Sequence, residues 1–243
     1  MSFEKTRFVI IGAAGGIGSA LARRLRGEGA ELVLVGRSAE KLAPLGAELG
    51  AETLALDAAK ADALERAVSA LGPINGIVNC AGSILLKPAH LTTEAEWQQT
   101  IETNLTTAFA TVRAGAKALS LTGGGSIVLC ATAAARMGLA NHDAIAAAKG
   151  GVIGLTLSAA ATYGGRNIRV NCVAPGLVET PLSARITASE TALKASTAMH
   201  ALGRIGRAGD VASGIAWLLD PANDWITGQT LGIDGGLGTV RSR

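Results

Sequence analysis

Phe8-Val9-Ile10-Ile11-Gly12-Ala13-Ala14-Gly15-Gly16-Ile17-Gly18 begins as four apolar residues and ends as a glycine turn. The apolar run reads as a strand, and the turn as the mouth of a helix over 16–28. Glycine lets backbone come close to a ligand, and the N–H groups and dipole at a helix N-terminus attract negative charge. Such a unit suits a pyrophosphate. A glycine-rich turn can also be mere tight packing, but a place after the first strand favours a nucleotide. The spacing is Gly12-x3-Gly16-x-Gly18, not the G-x-G-x-x-G of other dinucleotide folds. Gly12, Ala14, Gly15, Gly16, Ile17 and Gly18 are therefore candidate cofactor-binding residues.

Outward from this turn, short apolar runs alternate with Ala/Leu-rich segments. Strands are expected over 8–11, 32–35, 53–56, 76–79, 126–130 and 168–173, with a last one near 229–233. Helices are expected over 16–28, 39–49, 61–71, 142–163 and 210–219, and one long helical segment over 94–119. The strands are continuously apolar, as in a parallel sheet covered on both faces by helices. This is an α/β chain: a Rossmann-like, doubly wound parallel sheet in three α/β/α layers, expected as a single domain over 1–243. Residues 182–202 contain no strand and read as a mobile helical insertion, a lid over a substrate. No linker, repeat or low-complexity tract interrupts the chain.

Composition narrows the function. The 243 residues are 49% hydrophobic and 17% charged, which excludes a disordered chain. Their length is enough to bury a core without disulfides or metals. Aromatics at 3% and a net charge of +3 argue against nucleic acid or a membrane surface as partner. Cys80, Cys130 and Cys172 are odd in number and sit in apolar runs, as free thiols do in a reducing cytoplasm. His90, His142 and His200 form no metal-ligand spacing with them. The first 16 residues read as a strand entering a loop rather than a signal peptide, and no stretch reads as a membrane span.

The end of the second strand selects the cofactor. A carboxylate there would bond the ribose hydroxyls of NAD. The run is instead Val35-Gly36-Arg37-Ser38. Arg37 is placed to fork onto a 2′-phosphate, with Ser38 adding a hydroxyl, so NADP(H) is the expected cofactor. Asp57, beside Ala58 at the end of the third strand, is either an acceptor for the adenine amino group or a helix N-cap.

At this point the sequence resembles the short-chain dehydrogenase/reductase family along essentially its whole length. The resemblance rests on the first glycine turn, Asn79-Cys80-Ala81-Gly82, Asn104, Lys149 within residues 146–151, residues 169–176 ending in Pro175-Gly176, and residues 226–236 ending in Asp234-Gly235-Gly236. It implies a nicotinamide-binding domain acting on a small molecule and assembled as a homotetramer or homodimer. It further implies that Asn79, Ala81 and Gly82 line the adenosine ribose side, and that Pro175, Gly176, Val178 and Thr180 wrap the nicotinamide end.

The family's catalytic set is Asn, Ser, Tyr and Lys. Asn104 matches the asparagine that holds a water in a proton relay, and Lys149 the lysine that binds the nicotinamide ribose. The serine position, 17 residues before the lysine, is Thr132, which keeps a hydroxyl. The tyrosine position, four residues before it, is Ile145, which carries no proton. The single tyrosine, Tyr163, lies 14 residues beyond Lys149, roughly 21 Å along a straight helix. His142, Ile145 and Lys149 share one helix face, so His142 is the candidate acid. Asn141 and Asp143 read as capping residues beside it.

Three functions follow. The first is an NADP(H)-dependent oxidoreductase acting on a bulky apolar carbonyl or alcohol with a modified relay. The second is a reductase of C=N bonds: an iminium is already cationic, so hydride leaves a neutral amine and no acid is needed. The third is a catalytically impaired dinucleotide-binding scaffold. The substrate pocket is expected from residues 84–90, 133–141 and 182–202, with Leu85, Leu86, Ala134, Met137, Leu139, Leu182, Ile186 and Met199 among its walls. Trp217 and Trp225 are expected at a subunit contact.

Overall fold

A computed structural model describes residues 2–240. The first half runs β1 (Arg7–Ile11), α1 (Gly16–Gly27), β2 (Glu31–Gly36), α2 (Ala39–Leu49), β3 (Glu52–Ala55), α3 (Ala61–Ala70), β4 (Gly76–Asn79), α4 (Glu94–Ile101) and α5 (Thr107–Ser120). The second runs β5 (Gly125–Cys130), α6 (Asp143–Tyr163), β6 (Ile168–Pro175), β7 (Val178–Glu179), α7 (Ala184–Thr187), α8 (Glu190–Met199), β8 (Gly206–Arg207), α9 (Ala208–Leu219) and β9 (Thr230–Ile233). Seven strands form one parallel sheet in the order β3-β2-β1-β4-β5-β6-β9. The order reverses between β1 and β4, and at such a reversal a crevice opens beyond the carboxyl ends of the strands. The expected Rossmann-like α/β fold is therefore the fold observed.

Helices cover both faces, which is why the central strands are apolar throughout. Val9, Ile11, Val33, Ile77, Ile127 and Val170 face one layer; Phe8, Ile10, Leu34, Val78, Val128 and Val173 face the other. The period of two along each strand sends alternate side chains to opposite faces. Burying each of these side chains stabilises the fold by roughly 1.5–3 kcal/mol. Among the described residues one helical stretch, Asp143–Arg166, is long and apolar enough to cross a membrane. Its Ala148, Val152, Thr156 and Ala159 are buried, and α6 lies along β6. A helix laid on a sheet needs that composition.

The structure departs from the sequence pattern in three places that shape the crevice. The segment over 94–119 is not one α-helix: a π-turn over Glu102–Thr106 separates α4 from α5. β3 lies at the sheet edge and exposes Glu52, Thr53 and Ala55, so it is not continuously apolar. An edge strand has one neighbour and part of its surface meets water; Glu52 uses this to pair with Arg7 at 2.7 Å. Residues 182–202 are helical as expected, in a 3-10 turn followed by α7 and α8. The base of this insertion is closed by a two-residue parallel ladder between β7 and β8, Val178 with Gly206 and Glu179 with Arg207, which apolar patterning is too coarse to reveal.

Candidate active site

Two adjoining cavities occupy the crevice. The first, of about 490 Å³, is lined by Gly12, Ala14, Gly15, Gly16, Ile17, Arg37, Ser38, Asp57, Ala58, Ala81, Gly82 and Thr180. Its floor is the glycine turn. Gly12 has φ +76°, and a β-carbon there would lie 2.6 Å from the Ala81 nitrogen. One on Gly16 would lie 2.6 Å from the Thr180 methyl. Gly18 stands behind the cavity wall, pressed onto Gly12 and Ala13, and serves the closeness of turn and helix. No side chain caps α1 at Gly15, so the helix presents unpaired N–H groups and its positive end at the wall. Bare backbone, a cationic helix end and no intruding β-carbon fit a pyrophosphate.

Arg37, Ser38 and Lys41 gather beyond β2 on the same wall. The Ser38 hydroxyl accepts from the Lys41 N–H at 3.3 Å, which caps α2 and leaves its own proton for a ligand. Lys41 escaped the sequence reading because a lysine in the first turn of a helix has no pattern of its own. Asp57 is not a helix cap: α3 begins at Ala61 after Lys60, and one Asp57 oxygen accepts from the Ala59 N–H at 3.0 Å, closing a tight turn. Asn79 does not line the cavity. Its buried amide accepts from the Ala81 N–H at 2.9 Å and donates to the Thr107 hydroxyl at 3.2 Å, so it shapes the loop behind the wall.

The second cavity, of about 590 Å³, shares Ile17, Cys80, Ala81, Gly82, Thr180 and Leu182 with the first. It brings together Asn104, Thr132, His142, Ile145 and Lys149, together with Pro175, Gly176 and Val178. Its walls are apolar, from Ile84, Leu86, Leu139, Leu182, Ile186 and Met199; Leu85 and Met137, expected there, do not line it. A π-turn carries one extra residue per turn and recurs at functional sites; here it carries Asn104. The Asn104 amide donates to the Ser83 hydroxyl and the Thr100 carbonyl, both at 2.9 Å, and accepts from the Ser83 N–H at 3.1 Å. It therefore pins the loop after β4. One lone pair of its oxygen is left for a further partner.

Lys149 is buried, and its ammonium donates to the Cys130 carbonyl at 2.6 Å. No carboxylate pairs with it among the described salt bridges. Burial holds its amine below the ordinary lysine range. Unfolding restores the ordinary value, so between the two values the unfolded chain binds the extra proton. Stability should accordingly rise with pH through that alkaline window. Urea titrations at stepped pH check this: the rise is expected in the wild type and absent in Lys149→Met. The thiols beside it are quiet. Burial raises Cys80 and Cys130, and pushes Cys172 up to about 12, so none offers a thiolate near neutrality.

Thr132 accepts from the Ala134 N–H at 3.3 Å, and its own proton has only a long 3.5 Å contact to the Pro175 carbonyl. That proton is therefore available to the cavity. Ile145 lies buried one turn before Lys149. His142 sits at the start of α6, and its Nδ1 lies 2.8 Å from the Ala140 carbonyl. A carbonyl only accepts, so Nδ1 is the donor of this bond, and Nε2 is the nitrogen left for a further partner. Asn141 and Asp143 do not cap α6. Asn141 has φ +63° and its carbonyl accepts from the Lys87 N–H at 2.7 Å; Asp143 accepts from the Ala89 N–H at 2.9 Å. Both fasten the loop after β4 against His142 instead.

Known proteins resemble this chain along nearly its whole length. A family profile described as Enoyl-(Acyl carrier protein) reductase matches residues 12–238. The cis-4-hydroxycyclohexanecarboxylate dehydrogenase of Sinomonas cyclohexanicum is 36% identical over 248 residues, covering 98% of this chain and 99% of its own. A short-chain type dehydrogenase/reductase structure from Mycobacterium ulcerans superposes with a TM-score of 0.95 at 30% identity, covering 100% of this chain and 93% of its own. A Beutenbergia cavernae chain assigned as an NAD(P) dependent gluconate 5-dehydrogenase, with NADP bound at low occupancy, superposes with a TM-score of 0.92 at 30% identity, covering 97% and 98%.

Proposed function

The chain belongs to the short-chain dehydrogenase/reductase family, and on that premise we propose that it is an NADP(H)-dependent oxidoreductase interconverting a bulky apolar alcohol and its carbonyl, with His142 as the proton-exchanging group. The observation that carries this reading is the second cavity itself. Thr132, Asn104, Lys149 and His142 meet in one apolar chamber that opens onto the glycine turn. NADP supplies or accepts the hydride when bound. Gly12, Gly15 and Gly16 would hold its pyrophosphate, Arg37 and Ser38 its 2′-phosphate, and Lys149 its nicotinamide ribose. Asp57 and Ala58 would take the adenine side, and Pro175, Gly176, Val178 and Thr180 the nicotinamide side.

The protein's own residues handle the substrate. The Thr132 hydroxyl donates to the substrate oxygen and opposes the charge that gathers there. In oxidation, Nε2 of His142 takes the hydroxyl proton as a general base; in reduction the imidazolium returns it. Lys149 adds a buried positive charge to the same chamber. The apolar walls exclude water and select a hydrocarbon ring or chain; one relative is named for a cyclohexane ring that bears both a hydroxyl and a carboxylate. A second reading rests on Ile145. Where a phenol would stand there is a hydrocarbon, and C=N reduction has no need of the missing acid.

NADPH oxidation measured against apolar cyclic ketones and cyclic imines tests both readings. Ketone turnover is expected. Turnover of imines alone would favour the second reading, and no affinity for NADPH or NADH would leave the scaffold. The Arg37→Ala variant should weaken NADPH binding about tenfold and leave NADH unchanged, since one charge-assisted contact to phosphate is lost; titration by nucleotide fluorescence measures it. The assembly we propose is a cytoplasmic homotetramer or homodimer. Its support is the apolar surface around β9, where Trp225 is 98% exposed with Trp217 and Leu231 also uncovered; sedimentation velocity tests it.

A further inference from the structure

His200 follows α8, at the end of the helical insertion, and none of the chemistry above uses it. Its ring is buried, 2% exposed. Nδ1 lies 2.7 Å from the Ser196 carbonyl, within the insertion. Nε2 accepts from the Leu177 N–H at 3.2 Å, on the strap that follows β6. One nitrogen must therefore carry a proton and the other must not. The ring joins the insertion to the strap, and Ser196, Leu177 and Gly176 all line the second cavity. The fit is close: a β-carbon on Gly176 would lie 2.5 Å from Nε2. A third element completes the joint, because the Leu202 N–H donates to the Gly235 carbonyl at 3.0 Å.

We propose that His200 is a positioning residue that latches the helical insertion over the substrate chamber, and that a second proton on its ring releases the latch. A proton on Nε2 turns the acceptor into a donor facing the Leu177 N–H, so the bond is lost and a charge is left buried. Among the described residues no charged side chain bonds to the ring, whose two partners are the Ser196 carbonyl and the Leu177 N–H. Residues 175–178 carry no titratable group. The Asp234 carboxylate is turned into its own loop, accepting from the Gly236 and Gly238 N–H groups at 3.0 Å. Within α8, Glu190 pairs with Lys194 at 2.8 Å, and Arg204 pairs with Asp210 at 2.7 Å. A ring with both nitrogens protonated keeps its bond to the Ser196 carbonyl and loses the one from the Leu177 N–H, so the second proton and the closed joint exclude each other.

The latch rests on the bonds of His200; only its effect on turnover rests on the proposed oxidoreductase reading. Amide hydrogen exchange on the full-length protein without ligand separates the two, since it reads the insertion whether or not catalysis occurs. Between pH 8 and 5.5, after correction for intrinsic exchange, protection across α8 should fall about tenfold or more while β1 and β5 stay constant. The His200→Gln variant keeps an acceptor that does not titrate, and its α8 protection should be independent of pH. His200→Leu should lose protection in α8 at every pH. A wild-type α8 whose protection does not change with pH, or changes in step with β1 and β5, overturns the latch, and so does a His200→Gln variant with the wild-type pH response. If the variants do not fold, the wild-type contrast between α8 and the core strands still decides. In the active enzyme the release should raise the substrate KM at low pH more than it lowers kcat.

Discussion

Replacing His142 by alanine is expected to lower kcat for the apolar alcohol about 10²- to 10⁴-fold, the usual worth of a positioned proton-transfer group. The fold should survive the change. His142 is only partly buried, its one bond is to the Ala140 carbonyl, and it provides no side-chain cap to α6. Urea midpoints should thus agree between variant and wild type while turnover collapses. Nicotinamide nucleotide affinity should also hold, because His142 does not line the first cavity. A loss of less than threefold would remove His142 from the chemistry. A matching loss in stability would make it a structural residue.

The opposite experiment restores the phenol. Ile145→Tyr puts a proton donor one helical turn before Lys149, on the same face and at the wall of the chamber. If a weak acid limits ketone reduction, kcat should rise about 10²-fold. The larger ring costs about 1–3 kcal/mol of packing, since Ile145 is buried, and differential scanning calorimetry should record a lower Tm. Imine reduction should not gain, as that step leaves a neutral amine. No gain with ketones would mean that His142 already supplies the proton efficiently or that the carbonyl is not the natural acceptor; the His142→Ala, Ile145→Tyr double variant separates these. Recovery of ketone activity in the double variant points to the first.

What could be read in advance follows from the range of the interactions. Local patterns revealed the glycine turn, because Gly12 needs a positive φ and a close neighbour at Ala81 that only glycine tolerates. They also revealed the central strands, because burial on two faces leaves no polar position. The edge strand β3 fails that test since water reaches Glu52 and Thr53. The π-turn at Asn104 has no short-range signature; it is held by contacts to Ser83, 21 residues away in the chain. Asn141 and Asp143 look like caps by type, yet tertiary contacts with Lys87 and Ala89 claim them. His200 matters through Leu177, 23 residues earlier. Its type and its neighbours in sequence say nothing of that partner.

The two margins of the sheet are unequal. Both edge strands are four residues long, but on one side β3 carries the charged Glu52, tied to Arg7. On the other, β9 ends the sheet with Leu231 bare. Strands with unpaired edges can recruit further strands, and short or charged edges resist it. A sheet with two receptive borders could add molecule after molecule into a fibre. With a single receptive border, edge-to-edge growth can join two molecules and then has nowhere to continue. The charged border therefore disfavours unlimited edge-to-edge growth.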